Sequence, residues 1–151
     1  MAAKPFLPVL YELARTFQAF DSFSAGHVRE LGLTPSQFDI IATLGNTQGI
    51  PFKELGEKTL ITKGTLTGVV DRLVEKKLVK RVACPKDGRR QYVQLTAAGE
   101  QVFAQVFPEH LAHLEQVFSG YTQQDFDNIV AVLQKLKQAF QATGTPMEEA
   151  E

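Results

Sequence analysis

Two groups of polar side chains between residues 62 and 96 have the chemistry needed to contact nucleic acid. The first group comprises Thr62, Lys63, Thr65 and Thr67. The second group comprises Lys86, Arg89 and Arg90. Hydroxyls donate and accept hydrogen bonds, and Lys and Arg pair with phosphate, so both groups suit a duplex. We predict that the first group enters the major groove and that the second meets backbone phosphate or the adjacent minor groove.

The spacing of apolar residues predicts the elements that carry these side chains. A stripe with steps of three and four, typical of a helix with one buried face, consists of Leu66, Val69, Val70, Leu73 and Val74. Thr62 stands before the first turn as the expected N-cap, which gives it a structural alternative to DNA contact. Val79 to Ala83 and Tyr92 to Leu95 are predicted strands. The turn from 85 to 90 contains an Asp-Gly pair, which favours a tight hairpin.

A further pair of helices is predicted before this segment. Thr34, Pro35 and Gln37 match a capping box with proline at the first helical position, which marks a helix start. The buried face of that helix consists of Phe38, Ile40, Ile41 and Leu44. A short helix from Lys53 to Thr59 and a brief turn then lead to Thr62. Two short helices joined by such a turn, followed by a strand pair, predict a winged helix-turn-helix over residues 34–96.

Apolar seams of heptad type occur near both ends of the chain. A first helix, from about Pro8 to Leu31, carries Phe6, Leu10, Leu13, Phe17 and Phe20. A last helix, with Thr122 as its N-cap, carries Phe126, Ile129, Leu133, Leu136 and Phe140. Another apolar helix is predicted between Thr96 and Phe118. Residues 142–151 are acidic and lack apolar periodicity, so we predict a flexible tail.

The formal net charge of −1 conceals an uneven distribution. Residues 53–90 hold eleven of the sixteen Lys and Arg and five of the seventeen acids, a net +6, which leaves −7 for the remainder. Such a basic region attracts a polyanion, although uneven charge is also common on a solvated surface. The length suits one domain, no apolar run suits a membrane span, and a single cysteine fits a reducing compartment. We expect a cytoplasmic protein that makes no membrane contact.

From about Leu7 to Phe140 the chain resembles the MarR family of winged helix-turn-helix transcriptional regulators. The resemblance rests on LTPSQFDIIATL, FKELGEKTLITKGTLTGVVDRLVEKKLV and DGRRQYVQLTAAGE. It implies a mainly α fold with a small β-hairpin wing, in which residues 1–33 and 97–141 form an entwined helical dimerisation region. The dimerisation residues would be Phe6, Leu10, Leu13, Phe126, Ile129, Leu133 and Leu136. It further implies a homodimer on a pseudopalindromic DNA operator and, for many members, a pocket for a small aromatic or phenolic effector.

The chain departs from the family pattern at three positions. Members often carry a non-glycine residue in place of Gly64 and an arginine in place of Gly68. Glycine offers no side chain to a base edge, and in a helix interior it costs about 1 kcal/mol relative to alanine. Base reading would then depend on fewer residues. Where members usually end this helix with glycine, the chain has Lys77, which must adopt a left-handed conformation or end the helix differently.

Several polar residues have both a functional and a structural interpretation. Asp87, two residues before Arg89, is expected to support the wing turn, while the alternative for the wing arginines is a solvated hairpin. Cys84 precedes the wing and raises the possibility of an oxidation switch. The sensing cysteine of peroxide-responsive relatives lies in the first helix, however, so we expect Cys84 to be structural.

The histidines and the aromatic residues of the first helix have similar alternatives. His110 and His113 are three residues apart and could suggest a metal site, but only His27 could add a further histidine. We therefore expect hydrogen-bonded or solvated histidines, with no metal and no cofactor. The candidate ligand pocket on the first helix consists of Phe17, Phe20, Phe23 and His27. Core and dimer packing explains these aromatic residues equally well.

The function expected from these residues and from the resemblance is a homodimeric, sequence-specific DNA-binding regulator. It would be a repressor or an activator, with repression favoured, and a small ligand would alter its affinity for DNA. The alternative is a dimeric interaction module that modulates another regulator without reading DNA, which Gly64 and Gly68 favour. An enzyme is not expected. The sequence contains no nucleophile with a placed base, no cluster of metal ligands and no glycine-rich phosphate loop.

Overall fold

The computed structural model describes residues 3–84 and 86–144. It contains six helices and a small antiparallel sheet within those residues. The helices are α1 (Leu7–Glu30), α2 (Pro35–Leu44), α3 (Phe52–Lys58), α4 (Lys63–Glu75), α5 (Ala97–Glu115) and α6 (Gln123–Thr143). The strands are β1 (Ile50–Pro51), β2 (Val79–Ala83) and β3 (Gln91–Leu95). This confirms the predicted mainly α fold with a winged helix-turn-helix.

The capping box predicted at the start of α2 is confirmed. The Gln37 amide donates to Thr34 Oγ1 over 3.2 Å, and the Thr34 amide donates to Gln37 Oε1 over 3.1 Å. The same reciprocal arrangement, with Asp125 in place of a glutamine, opens α6 at Thr122. Both pairs satisfy amides that have no partner within their helix, and they fix where each helix begins.

The sheet has the order β1-β3-β2, with both pairs antiparallel. The hairpin of β2 and β3 follows the prediction closely, with Val79 opposite Leu95 and Ala83 opposite Gln91. Strand β1 is an addition, because the sequence interpretation predicted two strands. Ile50 lies opposite Val93 in this third strand, and Pro51 is tolerated there because β1 is at the sheet edge.

The hydrophobic core centres on the winged helix-turn-helix and also includes Val28 of α1 and Val106 of α5. It draws on α2, α3, α4 and the sheet, through fully buried side chains of Ile40, Ile41, Leu44, Leu55, Leu66, Val70, Leu73, Val79 and Val93. The predicted buried stripe of α4 is confirmed for Leu66, Val69, Val70 and Leu73, while Val74 packs at its margin. The core therefore fixes α4 from one side and leaves its opposite side exposed.

The chain divides into two compact units, one that ends at Leu114 and one that begins at Glu115. In the second unit a single 3-10 turn, Gln116–Phe118, leads to α6. The rings of Phe118, Tyr121 and Phe126 pack together, with centroids 5.3 to 5.8 Å apart. No residue of α6 is buried. The helix continues through Ala142 and Thr143 of the predicted tail, whose residues 145–151 lie outside the described part of the chain.

Candidate nucleic-acid interface

The start of α4 presents the first group of candidate contacts to solvent. Thr62, Lys63, Thr65 and Thr67 are all exposed. Thr62 occupies the N-cap position with an extended backbone, as predicted, but its side chain makes no capping hydrogen bond. The Thr62 hydroxyl instead donates to Thr65 Oγ1 over 3.1 Å. The prediction that Thr62 caps the helix through its side chain is therefore wrong, because the neighbouring hydroxyl provides a competing partner.

Gly64 and Gly68 lie on the exposed side of α4. A Cβ atom built on either glycine would meet nothing within 4 Å, and neither has a positive φ. Neither packing nor backbone conformation thus requires glycine at these two positions. Because glycine has no side chain, no side chain projects from the surface of α4 at these two positions beside the threonine hydroxyls.

The end of α4 is held by Lys77 in the left-handed conformation, with φ of 60°. The Lys77 amide donates to the Val74 carbonyl over 2.9 Å, and the Leu78 amide donates to the Leu73 carbonyl over 3.0 Å. These two bonds form a Schellman motif, which usually has glycine at the left-handed position. One of the two outcomes expected for Lys77 is therefore confirmed.

The wing carries its cations at a fully exposed tip. Lys86, Arg89 and Arg90 are all exposed. The hairpin closes where the Cys84 amide donates to the Arg90 carbonyl over 2.8 Å. Inside that closure the Arg90 amide donates to the Asp87 carbonyl, and the Arg89 amide donates to Asp87 Oδ1, each over 3.0 Å. Asp87 and Gly88 thus lie within a longer connection between β2 and β3, in agreement with the predicted turn from 85 to 90.

An ion pair joins the wing to α4. Arg81 of β2 donates through Nη2 to Asp71 Oδ1 of α4, with both side chains partly exposed. A surface pair of this kind contributes little to stability, typically under about 1 kcal/mol. Its effect is geometric, because it fixes the strand that carries the wing against the helix. The sequence interpretation did not predict it, since residues ten apart on a helix and a strand have no recognisable spacing.

Cys84 is buried at the base of the wing. The amides of Lys86 and Asp87 lower the pKa of the thiol by hydrogen bonding to it, and Tyr92 and Arg90 act in the same direction, while burial opposes them. The bond to Cys84 in turn raises the pKa of the Tyr92 hydroxyl. The thiol of Cys84 is thus held by the turn that follows β2.

A cavity of about 590 Å³ lies in the first unit and reaches the start of α4. Its walls come from α1 (Phe17, Phe20, Asp21, Ser24, Val28), α2 (Pro35, Ser36, Phe38, Asp39), the segment that opens α4 (Leu60, Ile61, Thr62, Thr65) and α5 (Phe107, His110, Leu111, Leu114). Two of the four predicted pocket residues, Phe17 and Phe20, line it. Phe23 and His27 do not, because they pack against the histidines of α5 instead.

Several polar groups of the cavity form hydrogen bonds with neighbouring groups. Asp39 Oδ2 accepts from the Leu60 amide over 3.1 Å, which ties α2 to the turn before α4. Burial raises the pKa of the Asp39 carboxyl, and the bond from Leu60 opposes that shift. His110 is 2% exposed, and its Nε2 lies 3.1 Å from Ser24 Oγ. The cavity thus combines aromatic walls with a few fixed polar groups, as small-molecule sites do.

The three histidines meet in one place, which the sequence interpretation did not predict. His27 Nδ1 lies 2.9 Å from His110 Nδ1, and the rings of His27 and His113 stack with centroids 4.0 Å apart. The expectation of hydrogen-bonded histidines is confirmed for His27 and His110. Within residues 3–84 and 86–144, no set of three His, Cys, Asp or Glu side chains is arranged to hold a metal ion. No helix of the same residues is both long and apolar enough to cross a membrane.

Comparison with known proteins gives consistent results. The family model described as MarR family matches residues 31–90. The regulator MhqR of Bacillus subtilis is 27% identical over 130 residues, which cover 86% of this chain and 90% of MhqR. The transcriptional regulator HosA of Escherichia coli is 35% identical over 92 residues, which cover 60% of this chain and 68% of HosA.

Solved structures agree in fold. Sco3205 of Streptomyces coelicolor, a MarR family regulator in complex with DNA, has a TM-score of 0.81 at 18% identity and covers 100% of this chain and 96% of its own. NadR in complex with 4-hydroxyphenylacetate has a TM-score of 0.75 at 21% identity, and the match covers 90% of this chain and 96% of NadR. These two structures show the same fold, and the family model together with HosA shows that the chain belongs to the MarR family of transcriptional regulators.

Proposed function

We propose that the protein is a homodimeric repressor that binds a pseudopalindromic operator in duplex DNA and is released by a small ligand. The observation that carries this proposal is that the start of α4 and the basic wing tip are both exposed. The ion pair of Asp71 and Arg81 joins α4 to β2, the strand that leads into the wing. A helix whose first turn is exposed can enter the major groove with Lys63, Thr65 and Thr67 near base edges. The hydroxyl of Thr62 is a further DNA contact in this proposal.

In this proposal the wing increases the affinity for DNA but does not select a particular base sequence. Lys86, Arg89 and Arg90 contact phosphate oxygens or the adjacent minor groove, and Asp87 supports them by holding the turn through the Arg89 amide. The Asp87 carboxylate is itself acidic and would be repelled by phosphate, which fits a supporting role. Residues 34–96 would then form the complete DNA-binding module.

In the proposed dimer, the two protomers contact each other through apolar residues that each protomer leaves exposed. Just before α1 and along it these include Phe6, Leu10 and Leu13, and on α6 they include Ile129 and Leu133, with Phe126 and Leu136 only partly buried. Large apolar side chains that are exposed along a helix, as on α1 and again on α6, are typical of an interface in soluble proteins. We assign residues 1–33 and 97–141 to dimerisation, which would place two modules on two half-sites.

The cavity gives this arrangement a means of control. Its aromatic walls suit a small aromatic acid or phenol, and the structural relative NadR binds a ligand of that class. Because Thr62 and Thr65 line the same cavity, a bound ligand would act directly on the start of α4. Repression follows if the dimer covers a promoter, and ligand binding would relieve it.

Replacing Arg89 with alanine is expected to weaken binding to every duplex and to flatten its dependence on salt. A symmetric dimer loses one phosphate contact from each wing, so the slope of log affinity against log salt should fall by about 2. Fluorescence anisotropy with a duplex selected from random sequences, measured at several salt concentrations, gives this slope. Lys137→Ala, an exposed cation on α6, is the control and should leave the slope unchanged.

The alternative function gives a different result in the same assay. An interaction module that does not read DNA would yield no selected duplex, although a stable dimer would still be present. The open surface at Gly64 and Gly68 is the feature that favours this alternative. An Arg89→Ala protein whose salt slope equals that of the wild type would remove the wing from the DNA contact.

A further inference from the structure

All three histidines of the chain lie in one cluster, formed by His27 of α1 with His110 and His113 of α5. We call these residues the histidine cluster. Histidine is the side chain whose ordinary pKa lies between about pH 5 and 8. The chain therefore concentrates its histidine titration at one point, beside the cavity that reaches α4.

The central contact of the cluster depends on protonation. His27 Nδ1 and His110 Nδ1 are 2.9 Å apart, so one nitrogen must carry a proton and donate it while the other accepts. An extra proton on His27, which is only partly buried, preserves this bond, because Nδ1 of His27 can still donate. A further proton on His110 places two N–H groups and two positive charges against each other. The contact cannot survive that second step.

The surroundings of His110 disfavour its charged form. Burial lowers the pKa of His110, and the neighbouring His27 and His113 lower it further. From α2 the ring of Phe38 packs edge-on against His110 with centroids 4.6 Å apart. The charged groups on the adjoining cavity are Asp21 of α1 and Asp39 of α2, and the Asp39 carboxylate already accepts from Leu60. Glu109 precedes His110 but is exposed.

The direction of the pH effect follows from this shift. A histidine whose pKa is lowered by folding contributes stability that is fully present above its ordinary pKa of 6.5. That contribution is lost as the pH falls below 6.5 towards the lowered pKa of the folded state. Acid therefore weakens the packing of α1 and α5 around His110, together with the Phe38 contact that continues into α2.

We propose that the histidine cluster makes DNA binding pH-dependent, with protonation at mildly acidic pH separating His27 from His110 and reducing affinity for the operator. The route runs from His110 through Phe38 to α2, which packs against α4 in the core. This inference rests on the proposed function, because it needs an operator that the protein binds at neutral pH. The direction of the change in DNA affinity distinguishes between two causes. Added positive charge alone would strengthen binding to DNA, whereas loss of packing weakens it.

The test compares affinity for the selected duplex at pH 7.5 and pH 5.5 at constant ionic strength. Wild-type protein should lose about tenfold in affinity for the duplex, which corresponds to about 1.4 kcal/mol of binding free energy. The affinities of His110→Gln and His27→Gln should differ by less than about twofold between the two pH values. Each substitution removes the state in which both histidines are protonated. His27 is only partly buried, so its variant keeps the test valid if His110→Gln fails to fold. Cys84→Ser removes the other group with a lowered pKa and should keep the wild-type response.

A proton NMR titration of the three histidine C2–H signals provides a readout that does not depend on DNA. The inference predicts that the signal missing from the His110→Gln spectrum titrates below the ordinary range in the wild type. Wild-type affinity that stays constant or rises on acidification would overturn the inference, as would equal losses in wild type and both variants. Absence of any selected duplex at pH 7.5 would instead overturn the proposed function and, with it, the DNA part of the inference. The NMR titration would then still decide whether the cluster responds to pH.

Discussion

Replacing Leu133 with lysine is expected to convert the proposed dimer into a monomer. The Leu133 side chain is 50% exposed in the protomer, and α6 has no buried residue, so the substitution removes little from the fold itself. In a twofold dimer the change occurs twice, and each buried leucine contributes about 2 kcal/mol. The dissociation constant should therefore rise by about a thousandfold. A monomer engages a single half-site, so operator affinity should fall with it.

Sedimentation velocity over a range of protein concentrations measures this change directly. Gln134→Lys is the matched control, because it adds the same charge at the next position of α6 outside the apolar seam. The control should sediment as a dimer. If Leu133→Lys also remains a dimer with an unchanged dissociation constant, α6 is not the subunit contact.

Gly99→Ala is expected to lower the free energy of unfolding by about 3 kcal/mol, near the upper end of ordinary overpacking. Gly99 is buried at the start of α5, and a Cβ atom there would overlap the Leu78 carbonyl oxygen. That oxygen accepts from the Thr96 amide over 3.0 Å, and the Thr96 hydroxyl accepts from the Gly99 amide over 3.1 Å. Moving Leu78 would thus disturb the bonds that connect the end of α4 to the start of α5.

Thermal and urea unfolding followed by circular dichroism measure this effect, and Gly68→Ala is the control. The control should raise the free energy of unfolding by up to about 1 kcal/mol, since Gly68 lies in a helix interior with open space around it. The two substitutions add the same methyl group and should change stability in opposite directions. A Gly99→Ala protein as stable as the wild type would show that Leu78 can move at no cost.

The helices were predictable because their signals are local. The capping box at Thr34 and Gln37 and the stripe of α4 each lie within a few turns of sequence, and the structure reproduces them. Strand β1 was missed because Ile50 and Pro51 are too short to show a pattern. Their strand character comes from pairing with Val93 and Tyr92, forty or more residues away.

The parts of the site that depend on distant contacts could not be predicted. His27 was assigned to a ligand pocket because it follows the aromatic residues of α1, whereas the fold brings it against His110. Thr62 was expected to cap α4, and only the position of the Thr65 hydroxyl reveals a different partner. Lys77 was the exception, since the Schellman geometry requires a left-handed residue whatever its type.

The proposed dimer is expected to distinguish one DNA sequence from another. A competition assay at fixed salt, between the selected duplex and a scrambled duplex of equal length and composition, tests it most directly. We predict a preference of about a thousandfold or more for the selected duplex, with one dimer bound per duplex. Equal affinity for the two duplexes, from a protein that is still dimeric, would contradict sequence-specific DNA binding and favour the interaction module.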